Sequence, residues 1–173
     1  FTVFSEATFA FARGLNVFIG ENGSGKSHLL KLLYSLAAVE AQGQRESQQG
    51  APSSAFLQGA VARKLLAVFR PDHLGRLASR QQGVQRAEVS ISLADSGLNL
   101  AFNFNTKSTG EVNLDQLPVR WADRAPVFLP TRELLTIYPG FVSLYETTAL
   151  PFEETFRDTC VLLGAPLARG PRE

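Results

Sequence analysis

The chain has 173 residues, 45% of them apolar, which suits one domain, or a domain with a small subdomain, built on its own hydrophobic core. Its 17 basic and 16 acidic residues leave a net charge of +1, which excludes a global positive field that would attract nucleic acid. The single Cys160 excludes an intramolecular disulfide, and only two histidines argue against a histidine-based metal site. No run of about twenty apolar residues predicts a membrane span and no signal-peptide pattern is visible, so we expect a cytoplasmic protein without a membrane partner.

The first 54 residues predict a β-rich entry, a long helix and a loop. Thr8–Phe11 alternates in polarity, Arg13-Gly14 is a turn signal, and the apolar run Leu15–Ile19 predicts a buried strand. A helix is expected over 27–40, with leucines spread too widely around it for a surface helix. Residues 41–54 show no apolar period and predict a flexible loop.

The middle of the chain predicts two helices and a hairpin. Residues 56–69 have a helical pattern that Arg70-Pro71 should end, and 73–79 predicts a short second helix. Alternation over 86–93 and again over 98–104, on either side of a turn signal, predicts a β-hairpin.

The C-terminal third is expected to be mainly helical. Residues 125–130 predict a short buried strand, and Thr131 could cap a helix that follows it. Residues 151–163 predict a helix that ends at Gly164. Cys160 lies on the apolar face of that helix, which predicts a structural thiol and not a reactive one.

The junction between the first predicted strand and the first predicted helix matches the phosphate-binding pattern G-x-x-x-x-G-K-[ST], the P-loop, from Gly20 to Ser27. Glycines let such a backbone curl so that successive N–H groups face an anion, and the helix N-terminus adds its positive dipole end. Lys26 would reach the β- and γ-phosphates, and the Ser27 hydroxyl would bind Mg²⁺. The predicted nucleotide-binding residues are Glu21, Asn22, Gly23, Ser24, Gly25, Lys26, Ser27 and His28, the last of which a helix N-terminus also tolerates without function.

The run from Gly14 to Ser27, with a Phe-x-x-Phe pair at Phe1 and Phe4 upstream, resembles one branch of P-loop proteins. It is similar to the N-terminal half of an ABC-type ATPase head of the SMC, RecF and overcoming-lysogenization-defect kind, often called AAA-family ATP-binding proteins. The resemblance is close over 1–36 and loose elsewhere. It implies ATP and Mg²⁺ as ligands. It also implies an α/β fold in which a P-loop NTPase sheet packs against the long helix, with a flanking antiparallel β-layer and a helical C-terminal third.

Heads of this kind complete their site with a signature Ser-Gly-Gly helix, a Walker B strand ending in Asp-Glu and a switch histidine, none of which is in this sequence. The resemblance therefore implies that 1–165 form the N-terminal lobe of a head and that 166–173 lead into a remainder. The start at Phe1 within a predicted strand, and the lack of methionine, agree with that expectation. The implied partners are the C-terminal half of the same head and a second copy that dimerises through the heads.

The stretch from Pro126 to Leu134 is similar to the strand and loop that carry the Q-loop function in RecF-like heads. No glutamine stands there, so Arg132 and Glu133 are the candidates for a sensor of the γ-phosphate or of Mg²⁺-bound water. The alternative is the first turn of a helix with an ordinary exposed ion pair.

Residues 63–86 carry six basic side chains and one acid, Asp72. They predict either a contact surface for DNA or RNA phosphates or the solvated face of amphipathic helices, and the candidate contacts are Arg63, Arg70, Arg76 and Arg80. The D-x-x-G pattern from Asp72 to Gly75 is typical of GTPases, but it follows no strand and no guanine-reading motif accompanies it. Helix capping by Asp72 explains this pattern better.

Two functions follow as expectations. In the first, the chain is part of an SMC/RecF-like ATPase whose head dimerisation and ATP hydrolysis drive DNA repair or phage defence. In the second, it is an ATP-dependent assembly or regulatory module with little hydrolysis of its own. A P-loop kinase or GTPase is disfavoured because the sequence shows no base-reading motif and no arginine-rich lid.

Overall fold

The computed structural model describes residues 1–46, 50–78, 82–93, 98–121, 125–130 and 138–165. These residues form a mixed α/β structure with four α-helices, one 3₁₀ helix and a three-stranded antiparallel sheet. The chain divides into two compact units, Phe1–Pro126 and Val127–Glu173. None of the helices in the described ranges has the length and apolar character needed to cross a membrane.

Two helices of the first unit follow the phosphate-binding motif. Helix α1 spans Lys26–Glu46 and helix α2 spans Ser54–Phe69. The Ser53 hydroxyl caps α2 by accepting from the Phe56 N–H at 3.3 Å. Arg70 ends α2 in the left-handed conformation at φ 54°, with its N–H bonded to the Leu66 carbonyl, so the predicted stop at Arg70-Pro71 is confirmed.

Helix α1 is longer than the sequence predicted, and the prediction of a loop over 41–54 is wrong for its first six residues and for Ser54, which begins α2. Packing explains the extension. Ala41 and Gly43 are buried, and the Trp121 ring lies so close to Gly43 that an added Cβ would come within 2.3 Å of it. The indole of Trp121 also donates to the Gly50 carbonyl at 2.8 Å, which joins the following segment to the same ring.

The sheet contains strands β1 (Arg86–Ser92), β2 (Asn99–Asn105) and β3 (Asn113–Gln116), in the order β1-β2-β3. The β1–β2 pairing confirms the predicted hairpin, whose turn lies outside the described residues. Strand β3 was not predicted from the sequence. Its short polar run carries no alternation, and it pairs with β2 across an irregularity at Ala101/Phe102.

One face of this sheet forms the core of the first unit. Helices α1 and α2, the 3₁₀ helix Leu74–Leu77 and the sheet share a single cluster of buried side chains, among them Leu36, Val39, Leu57, Leu65, Leu74, Leu100, Phe102 and Phe104. The opposite face of the sheet is polar, and the Asn103 amide donates there to both oxygens of Asp115 at 2.8 Å. The antiparallel layer predicted beside the long helix is therefore present.

The short helix predicted at 73–79 is the 3₁₀ helix, and the prediction that Asp72 caps it is wrong. The residue before this helix is His73, which makes no side-chain cap, whereas the Asp72 carboxylate pairs with Arg76 at 3.6 Å. Because a 3₁₀ helix of four residues has few N–H groups without an acceptor, the Asp72 carboxylate is stabilised more by the nearby guanidinium of Arg76 than by capping the helix.

Two predicted buried strands are not formed. Leu15, Val17 and Ile19 are 87%, 69% and 92% exposed, and no strand of the described residues lies between positions 1 and 25. Residues 125–130 likewise form no strand, and Val127 and Leu129 are 63% and 76% exposed. A β-strand needs a neighbouring strand for its backbone hydrogen bonds, and no described residue supplies one to either run.

The second unit contains helices α3 (Tyr138–Thr147) and α4 (Glu154–Gly164), which confirms the prediction of a helical C-terminal third for the described residues. Phe141, Phe156 and Cys160 form its core. The Thr159 hydroxyl, itself buried, lies 2.6 Å from the Phe128 carbonyl, which holds the extended run to α4. Burial raises the pKa of the Cys160 thiol, which agrees with a structural role for this side chain.

Candidate phosphate-binding site

The loop between the extended run 15–19 and α1 has the backbone shape that its glycines predict. Gly23 and Gly25 have φ angles of +84° and +93°, in the left-handed region that side chains disfavour. The Ser24 N–H bonds back to the Glu21 carbonyl at 3.3 Å, and the Leu29 N–H bonds to the Gly25 carbonyl at 2.9 Å as the first turn of α1 closes. The loop is therefore a tight turn joined directly to a helix N-terminus.

Three consecutive backbone amides at this junction have no hydrogen-bond partner among the described residues, and Gly25, the first of them, is buried beside Val3 and Phe4. The N–H groups of Gly25, Lys26 and Ser27 make no hydrogen bond to any residue that the structure describes. The first N–H groups of any helix lack acceptors within the helix, and together with the helix dipole they favour an anion. The arrangement is chemically suited to a phosphate.

Lys26 supplies the positive charge of the site. Its ammonium donates to the carbonyls of Gly20 at 2.7 Å and Glu21 at 2.6 Å, and it lies 3.4 Å from the Ser24 hydroxyl. The side chain thus curls back over the loop. A phosphate held by the adjacent amides would offer Lys26 charge-assisted bonds, which are about twice as strong as bonds between neutral groups.

Ser27 lies in the first turn of α1 with an exposed side chain, next to Lys26. One hydroxyl suits Mg²⁺, which keeps several waters and takes few protein ligands besides phosphate oxygens. Within the described ranges, no group of three or more His, Cys, Asp or Glu side chains is close enough together to hold a metal ion alone. The residues therefore fit a magnesium ion that arrives with a phosphate ligand.

His28, in the first turn of α1, packs against an aromatic side chain of α2. Its ring packs edge-on against Phe69 at the end of α2, with 5.6 Å between ring centroids, and Phe1 packs against the same phenylalanine at 5.6 Å. This contact gives His28 a structural role at the junction of α1 and α2. Whether His28 also contacts a nucleotide stays a prediction.

The N-terminal arm, residues 1–4, packs against the loop through Val3 and Phe4. The sequence alone did not reveal this contact. A Cβ on Gly25 would lie 2.5 Å from a ring carbon of Phe4 and 2.6 Å from a methyl carbon of Val3. The Phe-x-x-Phe pair is the signal that could have suggested it, since Phe1 packs on Phe69 while Phe4 packs on the loop.

We expect Gly25→Ala to deform the loop more than Gly23→Ala. Both positions have positive φ, so both variants carry a backbone penalty of roughly 1 kcal/mol. Only Gly25 is crowded, because a Cβ on Gly23 would meet no atom within 4 Å. Chemical denaturation should show Gly25→Ala as the less stable variant by a further 1 kcal/mol or so. Equal stability of the two would show that the arm does not hold the loop.

The remaining predicted site residues fall into two groups. Arg132, Glu133 and Arg80 lie outside the described residues, so their predicted roles stay predictions. Arg63 and Arg70 line one open surface cavity of about 460 Å³ with Leu66, Ala67 and Pro71. Arg76 is instead paired with Asp72 at 3.6 Å, so the structure brings two of the predicted cations into one cavity and pairs a third with an acid.

No protein-family model matches the chain, and no solved structure matches it either. The resemblance to SMC- and RecF-like heads therefore continues to depend on the motif residues themselves. What the structure adds is the local geometry of those residues.

Proposed function

We propose that this chain binds ATP with Mg²⁺ through the loop Gly20–Gly25 and the N-terminus of α1. The observation that carries the proposal is the set of three adjacent amides, on Gly25, Lys26 and Ser27, that make no hydrogen bond to any described residue and lie beside one ammonium group. In this role the amides hold phosphate oxygens and Lys26 neutralises their charge. Ser27 supplies the oxygen for the metal.

We further propose that the chain is one lobe of an SMC/RecF-like ATPase head with a P-loop NTPase sheet. The exposed aliphatic side chains of Leu15, Val17 and Ile19 support this, because such an apolar run before a phosphate loop is typical of a strand that pairs with other strands in a covered sheet. The C-terminal half of the head would supply those strands and the carboxylate that activates water.

In the complete head, ATP would act as a bridge between two copies that dimerise face to face, and hydrolysis would remove the bridge. Because a ligand stabilises the state that binds it, this cycle would couple nucleotide to opening and closing of the dimer. DNA repair and phage defence are both compatible outputs. The second candidate function, an ATP-dependent assembly module with little hydrolysis, uses the same site and would lack the catalytic carboxylate.

The role of Ser27 gives a direct test of the proposed site. In Ser27→Ala, ATP affinity in the presence of Mg²⁺ should fall toward the affinity that the unaltered chain shows in EDTA, because the metal loses its protein oxygen. Isothermal titration calorimetry measures both values. Ser143→Ala, which alters an exposed serine of α3 in the second unit, is the matched control and should leave them unchanged.

If the ATP affinity of Ser27→Ala depends on Mg²⁺ as strongly as that of the unaltered chain, the Ser27 hydroxyl does not bind the metal. Titration with GTP in place of ATP tests the nucleotide class, and tighter binding of GTP would contradict the proposed function.

The cavity lined by Arg63 and Arg70 supports a proposal about a partner, namely that the chain contacts DNA there. The double variant Arg63→Ala with Arg70→Gly should weaken DNA binding. The slope of log affinity against log salt concentration should fall in magnitude by about two, roughly one for each cation lost. Glycine fits the left-handed φ of position 70, so the end of α2 is preserved. Lys107→Ala is the control, since this exposed lysine does not line the cavity. An unaltered slope in the double variant would exclude the cavity as a DNA contact.

A further inference from the structure

A groove of about 520 Å³ runs along the open edge of the sheet in the first unit. Strand β1 is an edge strand, since the strand order is β1-β2-β3. Five consecutive residues of β1, Glu88–Ser92, line the groove. Successive side chains of a strand point to opposite faces, so a cavity lined by an unbroken run lies along the edge of the strand and not against one face.

The hydrogen-bond register shows which backbone groups of β1 are directed at the groove. The Thr106 N–H bonds to the Gln85 carbonyl at 3.0 Å, and the Leu93 N–H bonds to the Leu98 carbonyl at 2.8 Å. In an antiparallel pair, residues bonded to the partner strand alternate with residues whose N–H and C=O face away from it. Every second residue from Gln85 to Leu93 is therefore bonded toward β2.

The intervening residues Glu88, Ser90 and Ser92 direct their backbone N–H and C=O groups toward the open edge. No residue in the described ranges forms a hydrogen bond with these groups. A row of unpaired groups on an edge strand is a template for pairing with another strand.

The other sides of the groove complete a slot for an extended chain. The opposite wall is the run Ser5–Phe9, which lies outside any helix or strand and begins with a bend at Ser5 and Glu6. Its backbone groups also make no hydrogen bond within the described part of the chain. The floor consists of leucines of α1, namely Leu29, Leu32, Leu33 and Leu36. An inserted strand would thus find backbone partners on both sides and an apolar surface beneath it.

The charges along the groove are acidic. Glu6 and Glu88 line it, and no Lys or Arg is among the described residues that do so. The Glu88 carboxylate is partly balanced by Arg86 at 3.1 Å, whereas Glu6 is exposed on the opposite wall. Opposite charges on directly opposed residues of neighbouring strands stabilise their pairing, and like charges destabilise it.

We propose that this groove binds an extended segment of a partner protein as an added strand beside β1. The segment has aliphatic side chains at alternate positions, which pack on the leucine floor, and Lys or Arg between them, which lie near Glu88 and Glu6. Main-chain hydrogen bonds supply affinity in this mode of recognition, and the alternate side chains supply specificity. The groove borders the phosphate-binding loop through Phe4 and Leu29, but the proposed strand pairing with β1 does not depend on the function proposed for that loop.

The test uses the full 173-residue chain and a fluorescently labelled peptide of alternating lysine and valine. Fluorescence anisotropy should show binding with a Kd on the order of 10 μM, which corresponds to about −7 kcal/mol. The peptide with glutamate in place of lysine should bind at least about ten-fold more weakly, since it meets like charges on both walls.

The decisive variant is Ser90→Pro, compared with Ser90→Ala. Proline removes an N–H that faces the open edge and no bond of the β1–β2 ladder, so an edge strand tolerates it. We expect Ser90→Pro to lose roughly ten-fold in affinity and Ser90→Ala to bind as the unaltered chain does. Should Ser90→Pro fail to fold by circular dichroism, a peptide N-methylated at alternate residues tests the same hydrogen bonds and should bind ten-fold more weakly.

Equal binding of the lysine and glutamate peptides would overturn the proposal, as would equal binding to Ser90→Pro and Ser90→Ala. A chain that forms dimers in sedimentation, with the peptide dissociating them, would also overturn it, because the occupant would then be a second copy.

Discussion

Lys26→Ala is expected to abolish the stabilisation of the chain by ATP and Mg²⁺. At a ligand concentration one hundred times the Kd, binding to the folded state alone adds about 2.7 kcal/mol to the free energy of unfolding. The ammonium contacts the loop through the carbonyls of Gly20 and Glu21 and supplies its positive charge. Without it, the phosphates would face only neutral amides. Differential scanning fluorimetry with and without ATP measures the effect as a shift of Tm.

Two comparisons make this result specific. In the absence of nucleotide, Lys26→Ala should unfold at nearly the same temperature as the unaltered chain, because its bonds to the loop are exposed to solvent. Lys107→Ala, which removes an exposed lysine after β2, should retain the full ATP-dependent shift. An undiminished shift in Lys26→Ala would show that ATP binds elsewhere or not at all.

Gly75→Ala is expected to destabilise the first unit strongly. A Cβ at this position would lie 2.3 Å from the Thr106 carbonyl oxygen and 2.9 Å from that of Asn105, both of which are backbone atoms that cannot rotate away. The Gly75 N–H also bonds to the Ser108 carbonyl at 2.8 Å, so the 3₁₀ helix and the end of β2 are held at close approach. We expect a loss of about 3 kcal/mol in the free energy of unfolding. For a chain of this size, that lowers Tm by roughly 6 to 12 °C.

Gly59→Ala is the matched control for this experiment. A Cβ on Gly59 would approach only the guanidinium of Arg63, at 2.8 Å, and that flexible group can move aside. Since alanine is the better helix former within α2, this variant should be neutral or more stable by up to about 1 kcal/mol. A Gly75→Ala variant as stable as Gly59→Ala would contradict the close approach of the 3₁₀ helix to β2.

Elements whose signals are local could be predicted from the sequence. The helical period of α2, its stop at Arg70-Pro71 and the alternation of β1 and β2 were visible because each depends on neighbouring residues. The shape of the phosphate loop followed in the same way, since Gly23 and Gly25 alone allow its positive φ angles.

Elements that depend on distant contacts could not be predicted in this way. The extension of α1 through Gly43 depends on Trp121, which lies far along the chain. The runs 15–19 and 125–130 have the composition of strands, but composition does not supply the partner that a strand requires. The packing of Phe4 on Gly25 was equally hidden, because nothing in the loop sequence shows what covers it.

The single tryptophan gives this chain a built-in optical reporter. Trp121 is buried in the first unit, in edge-on contact with Phe56 of α2 and against Gly43 of α1, so its emission will shift to longer wavelength only when that packing is lost. The second unit has no tryptophan and remains silent in the same spectrum. Intrinsic emission therefore follows the melting of one unit, while far-ultraviolet dichroism sums the helices of both. The difference between the two curves measures whether the units melt as one cooperative system.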